Sequence, residues 1–106
     1  MKIRHWNKYQ ISDFTELCSK FPEGGSVLDL GAWDGATTKA FDDKWDWFGV
    51  DVNPIGKEVK YGDAHSINFP DNHFDLVISI AVFEHLHSPW KAIKEVARVL
   101  KKGGYF

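Results

Sequence analysis

At 106 residues the chain is long enough for one modest hydrophobic core and too short for a second domain, so residues 1–106 are expected to form a single unit. Thirteen Lys and Arg against fifteen Asp and Glu, with no block of five or more basic residues, leave no electrostatic footprint for nucleic acid or a membrane surface. The single cysteine, Cys18, excludes an internal disulfide, and its neighbours Phe14, Leu17 and Phe21 point to a buried thiol in a reducing compartment, the cytoplasm by default.

The N-terminal residues carry no signal-peptide apolar core, and the longest apolar run, Leu76 to Phe83, is interrupted by Ser79 and too short to span a bilayer. Ser12 or Asp13 can start a helix, with Glu16 three residues after Asp13. Ile11, Phe14, Leu17, Cys18 and Phe21 make an apolar stripe at helical spacing, which Pro22 and Gly24-Gly25 stop. Residues 1–25 therefore read as an N-terminal helical segment, and residues 26–106 as the core. Ser26 to Leu30 reads as a buried strand, Gly31 to Gly35 as a loop, and about Ala36 to Asp43 as a short helix.

Trp47 to Val52 reads as a second strand. Phe74 to Ile80 is a nearly continuous run of Val, Ile, Leu and Phe, the pattern of a central parallel strand covered on both faces. Ser88 can cap, and Pro89 can open, a helix with Trp90, Ile93, Val96, Ala97 and Leu100 on one face and Gly103 as its stop. Tyr105 and Phe106 read as the start of a further strand.

An acidic residue at a strand end, a glycine loop, a helix start and a second acidic strand end twenty residues after Gly31 describe a nucleotide-type pocket at the carboxyl edge of a parallel sheet. A dinucleotide fingerprint read from Gly31 would need glycines at 33 and 36, where the chain has Trp33 and Ala36. The pattern D-x-G-x-G-x-G fits better, with Asp29, Gly31 and Gly35 in place and Trp33 at the middle glycine. Here the chain resembles the class I S-adenosylmethionine-dependent methyltransferases, of the type 11-like kind. The stretch Gly62-Asp-Ala-His-Ser-Ile-Asn-Phe-Pro-Asp-Asn-His-Phe-Asp, running into Leu76 to Leu86, is similar to the family's third and fourth motifs. Pro89 to Gly104 is similar to the helix before its fifth strand.

The resemblance implies an α/β fold, a three-layer Rossmann-like parallel sheet. It is expected to be incomplete, with about four to five strands and without the family's C-terminal antiparallel hairpin. It also implies S-adenosylmethionine as cofactor. Asp29 would lie near the methionine amino group, Gly31 and Gly35 in the cofactor loop, and Asp51 with Val52 at the ribose. Asp63 and Ala64 would meet the adenine, and Ile80 with Ala81 would line the other side. Glu84 and His85 would flank the substrate mouth, where one could orient an acceptor or take its proton.

Each residue also has a plainer reading. Asp29 can cap the loop's own N–H groups, Asp51 can initiate a turn before Asn53-Pro54, and Asp63 can belong to a Gly-Asp turn. Ile80 can be core, while Glu84 and His85 can be surface or capping residues. Trp33 either packs against Phe14 or Phe21 or closes over the site. Glu84-His85-x-His87 stands at no recognised metal-ligand spacing, so no metal is expected.

Only eleven residues separate Asp51 from Asp63, which predicts that the helix usual in that crossover is missing or reduced to a turn around Pro54 to Gly56. The chain stops as the fifth strand begins. That predicts either a fragment of a longer protein or an edge beside Phe74 to Ile80 covered by a partner or a second copy. The functional expectation is a methyltransferase domain acting on a small-molecule or sugar-type acceptor. A non-catalytic cofactor-binding fragment, or an interaction scaffold working through its sheet edge, is the alternative, and a nicotinamide dehydrogenase a more distant one.

Overall fold

The structure, a computed structural model, describes residues 19–35 and 43–106. The helices expected over 12–21 and 36–43, and Cys18 and Phe14 with them, lie essentially outside these residues. Among the described residues five strands form one sheet: β1 (Gly25–Leu30), β2 (Trp45–Asp51), β3 (Val59–Tyr61), β4 (Phe74–Ile78) and β5 (Leu100–Tyr105), in the order β3-β2-β1-β4-β5. Every neighbouring pair is parallel. The helix α1 (Pro89–Val99) connects β4 to β5, and a 3-10 turn (Phe83–His85) precedes it.

The alternation of side chains along β1 explains why the sheet needs cover on both faces. Leu28 and Leu30 join Val50, Phe74 and Val77 under α1, which contributes Ala92, Val96 and Val99. Val27 points the other way, into a second cluster with Trp45, Leu76 and Ile78, flanked by Phe21, Trp47 and Tyr105. Strands buried on both faces read as continuous apolar runs rather than alternating ones, which is why β1 and β4 are visible in the sequence.

Several boundaries differ from expectation. The second strand starts at Trp45, not Trp47, and β4 ends at Ile78, not Ile80. The helix stops at Val99, and Gly103, read as its stop, lies inside β5 with φ +79°. The buried face of α1 is Ala92, Val96 and Val99, an i, i+4, i+7 stripe, whereas Trp90 is 61% exposed and Ala97 is exposed. Ser88 sits at the N-cap but makes no side-chain cap bond.

The β4 edge expected to stand open is covered, because β5 begins at Leu100 and pairs with it. Phe74 is opposite Leu100 and Leu76 opposite Tyr105, so five steps along β5 match two along β4. The excess is a bulge at Lys101 to Gly104. A Cβ on Gly104 would come within 2.9 Å of the Lys101 carbonyl oxygen and 3.0 Å of that of Asp75. The connection from β2 to β3 is residues 52–58, without a helix, as the short spacing predicts.

The order β3-β2-β1-β4-β5 reverses direction between β1 and β4. A crevice opens at the carboxyl ends of strands wherever the strand order of an open α/β sheet reverses.

Candidate functional site

Four connections meet at that crevice. They enclose a cavity of about 230 Å³ lined by Leu30 at the end of β1 and Gly31 after it, Val50 to Val52 at the end of β2, Gly62 to Ala64 after β3, and Ala81, Val82, His85 and Leu86 after β4. A larger cavity of about 310 Å³ lies alongside, lined by Phe48, Lys60, Tyr61, Ile67 and Phe69 among others. It contains no residue from the loops after β1 or β4. The smaller cavity is therefore the one at the topological switch point.

The loop after β1 is shaped by Gly31, whose φ is +83°. A Cβ there would overlap the side chain of Val82, so the position requires glycine both for its backbone angle and for the contact across the crevice. The Gly31 and Ala32 N–H groups both donate to the Val50 carbonyl, at 2.8 and 3.0 Å, and Gly35 N–H donates to the Ala32 carbonyl at 2.8 Å. These bonds close the loop into a tight turn over the end of β2.

Asp51 fastens that loop from the other side. Its Oδ2 accepts the Trp33 N–H at 3.0 Å and its Oδ1 accepts the Asn53 N–H at 2.8 Å. The turn-initiating role is thus occupied, while each carboxylate oxygen retains a second lone pair for a further donor. Trp33 has φ +50° and is 59% exposed, and the Phe21 ring packs instead against Trp45 and Tyr105. Packing of Trp33 on Phe21 is therefore not what positions it.

A model of the methyltransferase domain matches residues 28–106. The chain belongs to the class I S-adenosylmethionine-dependent methyltransferases. It is 35% identical over 96 residues to the uncharacterized methyltransferase YcgJ of Bacillus subtilis, covering 76% of this chain and 38% of the relative. It is 29% identical over 97 residues to a phosphatidylethanolamine N-methyltransferase of Cereibacter sphaeroides, covering 76% and 48%. The crystal structure of YcgJ superposes with a TM-score of 0.71 at 30% identity, covering 89% of this chain and 49% of that one. The chain thus spans less than half the length of these relatives.

Within this methyltransferase fold, the expected site residues divide by position. Gly31, Asp51, Val52, Asp63, Ala64 and His85 line the cavity. Asp29 is buried within β1, in register with Gly49 and Ile78, and does not line it. Gly35 lies on the far side of the loop, near Val59 and Trp47. Ile80 is 40% exposed and does not line the cavity, whereas Ala81, expected beside it, does, with a φ of +57°. Glu84 and His85 share the exposed 3-10 turn, 3.9 Å apart, and only His85 borders the cavity.

Asp63 is held by a residue that motif reading passes over. Its Oδ1 accepts both the backbone N–H of His65, at 2.9 Å, and the His65 ring Nδ1–H, at 2.7 Å. These two bonds outweigh burial and hold the Asp63 carboxyl below its usual range. His65 is the third residue of Asp63-Ala-His, and an Asp followed two residues later by a donor is the signature of an Asx turn. Its long-range partner, Ser88, leaves no such local mark. Among the described residues no three His, Cys, Asp or Glu side chains form a metal-binding group, and no helix is long and apolar enough to cross a membrane.

Proposed function

We propose that this chain is the cofactor-binding core of a methyltransferase that uses S-adenosylmethionine to methylate a small-molecule acceptor. The observation that carries the reading is the single cavity to which separate loops bring Gly31, Asp51, Asp63 and Ala64. The hydrogen-bonding groups suit an adenosine. Asp51 has lone pairs left for ribose hydroxyls, and Asp63 has an oxygen, Oδ2, outside its bonds to His65 for an adenine amino group. The N–H of Ala64 would donate to the adenine ring. Gly31, with no Cβ, lets Val82 close against the loop backbone at the cavity wall.

Bound there, S-adenosylmethionine supplies a methyl group on a positively charged sulfur, a leaving group already activated. What the protein contributes is proximity and orientation. Asp51 and Asp63 would fix the nucleoside end. Glu84 and His85, exposed at the rim, are the groups available to orient an acceptor or take its proton. A small-molecule acceptor follows the relatives, among them the phosphatidylethanolamine enzyme and a fatty-acid O-methyltransferase of Mycolicibacterium smegmatis, 30% identical over 117 residues, covering 94% of this chain and 42% of that one.

Calorimetric titration with S-adenosylhomocysteine tests the reading. Saturable binding is expected, with a rise in melting temperature, since ligand at about 100 times its Kd stabilises the folded state by about 2.7 kcal/mol. No heat and no rise at millimolar ligand would sink it. Fluorescence quenching by NADH with no response to S-adenosylhomocysteine would favour a dinucleotide enzyme instead.

A further inference from the structure

We propose that His65 is a positioning residue for cofactor recognition, clamping one oxygen of Asp63 so that the other is presented to the adenine amino group, and anchoring that carboxylate to the start of α1 through Ser88. The inference rests on the reading of Asp63 as the adenine acceptor.

The geometry is that of a two-sided clamp. On one side, the backbone N–H and ring Nδ1–H of His65 converge on the same oxygen, Asp63 Oδ1, at 2.9 and 2.7 Å. Two donors on one oxygen fix the carboxylate's rotation and leave Oδ2 without a partner among the described residues. On the other side, His65 Nε2 accepts the Ser88 N–H at 3.3 Å. Both bonds can hold together only if the ring is neutral with its proton on Nδ1, so the network selects one tautomer.

Exposure divides the pair along the same line. The His65 side chain is 14% exposed and that of Asp63 43%, so the clamp is inside and the carboxylate it holds is open. The His87 ring lies against His65, with centroids 4.1 Å apart, and walls off the imidazole. Ser88 is itself buried, and its carbonyl accepts the Lys91 N–H at 2.9 Å as the first bond of the helix. His65 therefore ties the acceptor group after β3, which lines the cavity, to the start of α1. Without the imidazole, Asp63 keeps only its backbone bond and can rotate away.

The test compares S-adenosylhomocysteine with S-inosylhomocysteine, which carries a carbonyl where adenine has its amino group. A hydrogen bond to a charged acceptor discriminates by about tenfold or more, so the native chain is expected to favour the adenosyl ligand by that ratio. His65→Ala is expected to lower affinity for the adenosyl ligand about fivefold to tenfold and to leave the inosyl ligand unchanged, collapsing the ratio. His65→Gln, whose amide can donate to Asp63 and accept from Ser88, is expected to restore most of it.

Equal loss for both ligands in His65→Ala, or no loss for either, overturns the proposal. Asp63→Ala separates the two claims. A ratio that collapses in Asp63→Ala but survives in His65→Ala overturns the clamp alone, and a ratio that survives in Asp63→Ala overturns the adenine reading beneath it. On the native chain at neutral pH, a long-range proton–nitrogen NMR correlation is expected to show the His65 proton on Nδ1. A proton on Nε2 overturns the proposal without any variant.

Discussion

The Asp51 carboxylate and the Trp33 backbone are joined by a 3.0 Å hydrogen bond, so the residue suited to a ribose is also the one that holds the glycine loop in place. Its second oxygen holds the Asn53 N–H at 2.8 Å. Both donors stand at exposed positions where water can replace the acceptor, so Asp51→Ala should destabilise the fold by only about 1 kcal/mol, a fall of about 4–8 °C in melting temperature. The loss of affinity for S-adenosylhomocysteine should be larger, about tenfold or more, because ribose contact and loop order go together. Calorimetry and a thermal melt on the same variant check the asymmetry. A large loss of stability with unchanged affinity would make Asp51 a turn residue only.

Trp33 occupies a backbone conformation that costs a side chain about 1–2 kcal/mol, and at 59% exposure it regains little of that by burial. Trp33→Gly removes the strain, while the added freedom of glycine in the unfolded chain takes back about 0.5–1 kcal/mol. The expected result is a melting temperature equal to or slightly above that of the native chain, and S-adenosylhomocysteine binding a few-fold tighter as the loop backbone becomes approachable. A drop of more than about 5 °C, equivalent to roughly 1 kcal/mol, would mean that the indole is packed.

These two residues also mark what a sequence can reveal here. The strands β1 and β4 are legible because both faces are buried, which leaves unbroken runs such as Val27-Leu28 and Leu76-Val77-Ile78. Gly31 and Asp51 are legible because a turn and a strand end demand particular residue types at particular spacings. The end of α1 is not, since Leu100-Lys-Lys continues a helical pattern and only pairing with β4 turns it into a strand. Nor is the rest of the buried face of the helix, because Trp90, Ile93 and Ala97 suit an apolar stripe with Val96 as well as Ala92 and Val99 do. The His65 clamp is hidden for a different reason. One of its ends is a backbone N–H 23 residues away, and a backbone group carries no sequence signature.

Gly31 faces Val82 across the crevice with no space for a methyl group. Gly31→Ala therefore combines a left-handed backbone penalty of about 1–2 kcal/mol with an overpacking cost of about 1–3 kcal/mol. The double variant Gly31→Ala with Val82→Ala relieves the second term and not the first. The melting temperature of Gly31→Ala should fall sharply and recover in part in the double variant, while cofactor affinity stays low in both. Full recovery of stability would show that the contact alone, and not the φ of +83°, dictates glycine.

Arg98 is the centre of the staple that holds the segment between β3 and β4 onto α1. It donates to the carbonyls of Ile67 at 2.7 Å and Phe69 at 2.8 Å, to Asp71 at 2.9 Å, and to both oxygens of Glu95, which in turn accepts the Ile67 N–H at 2.7 Å. Arg98→Met keeps the aliphatic packing but strands those acceptors. With the group about a third exposed, a loss of about 2 kcal/mol is expected, which lowers the melting temperature by roughly 10 °C. The hydrogen bonds from Arg98, with a smaller contribution from the Ile67 N–H, outweigh burial and hold the Glu95 carboxyl below its usual value. A depressed folded-state pKa contributes stability that is present above the unfolded pKa and lost as pH falls through the folded one. The stability of the native chain over Glu95→Gln should therefore be constant from neutral pH down to about 5 and shrink below about 4.3. Urea unfolding of both proteins across that range measures the gap. A gap that widens on acidification would reverse the sign and remove Glu95 as a carboxylate partner of Arg98.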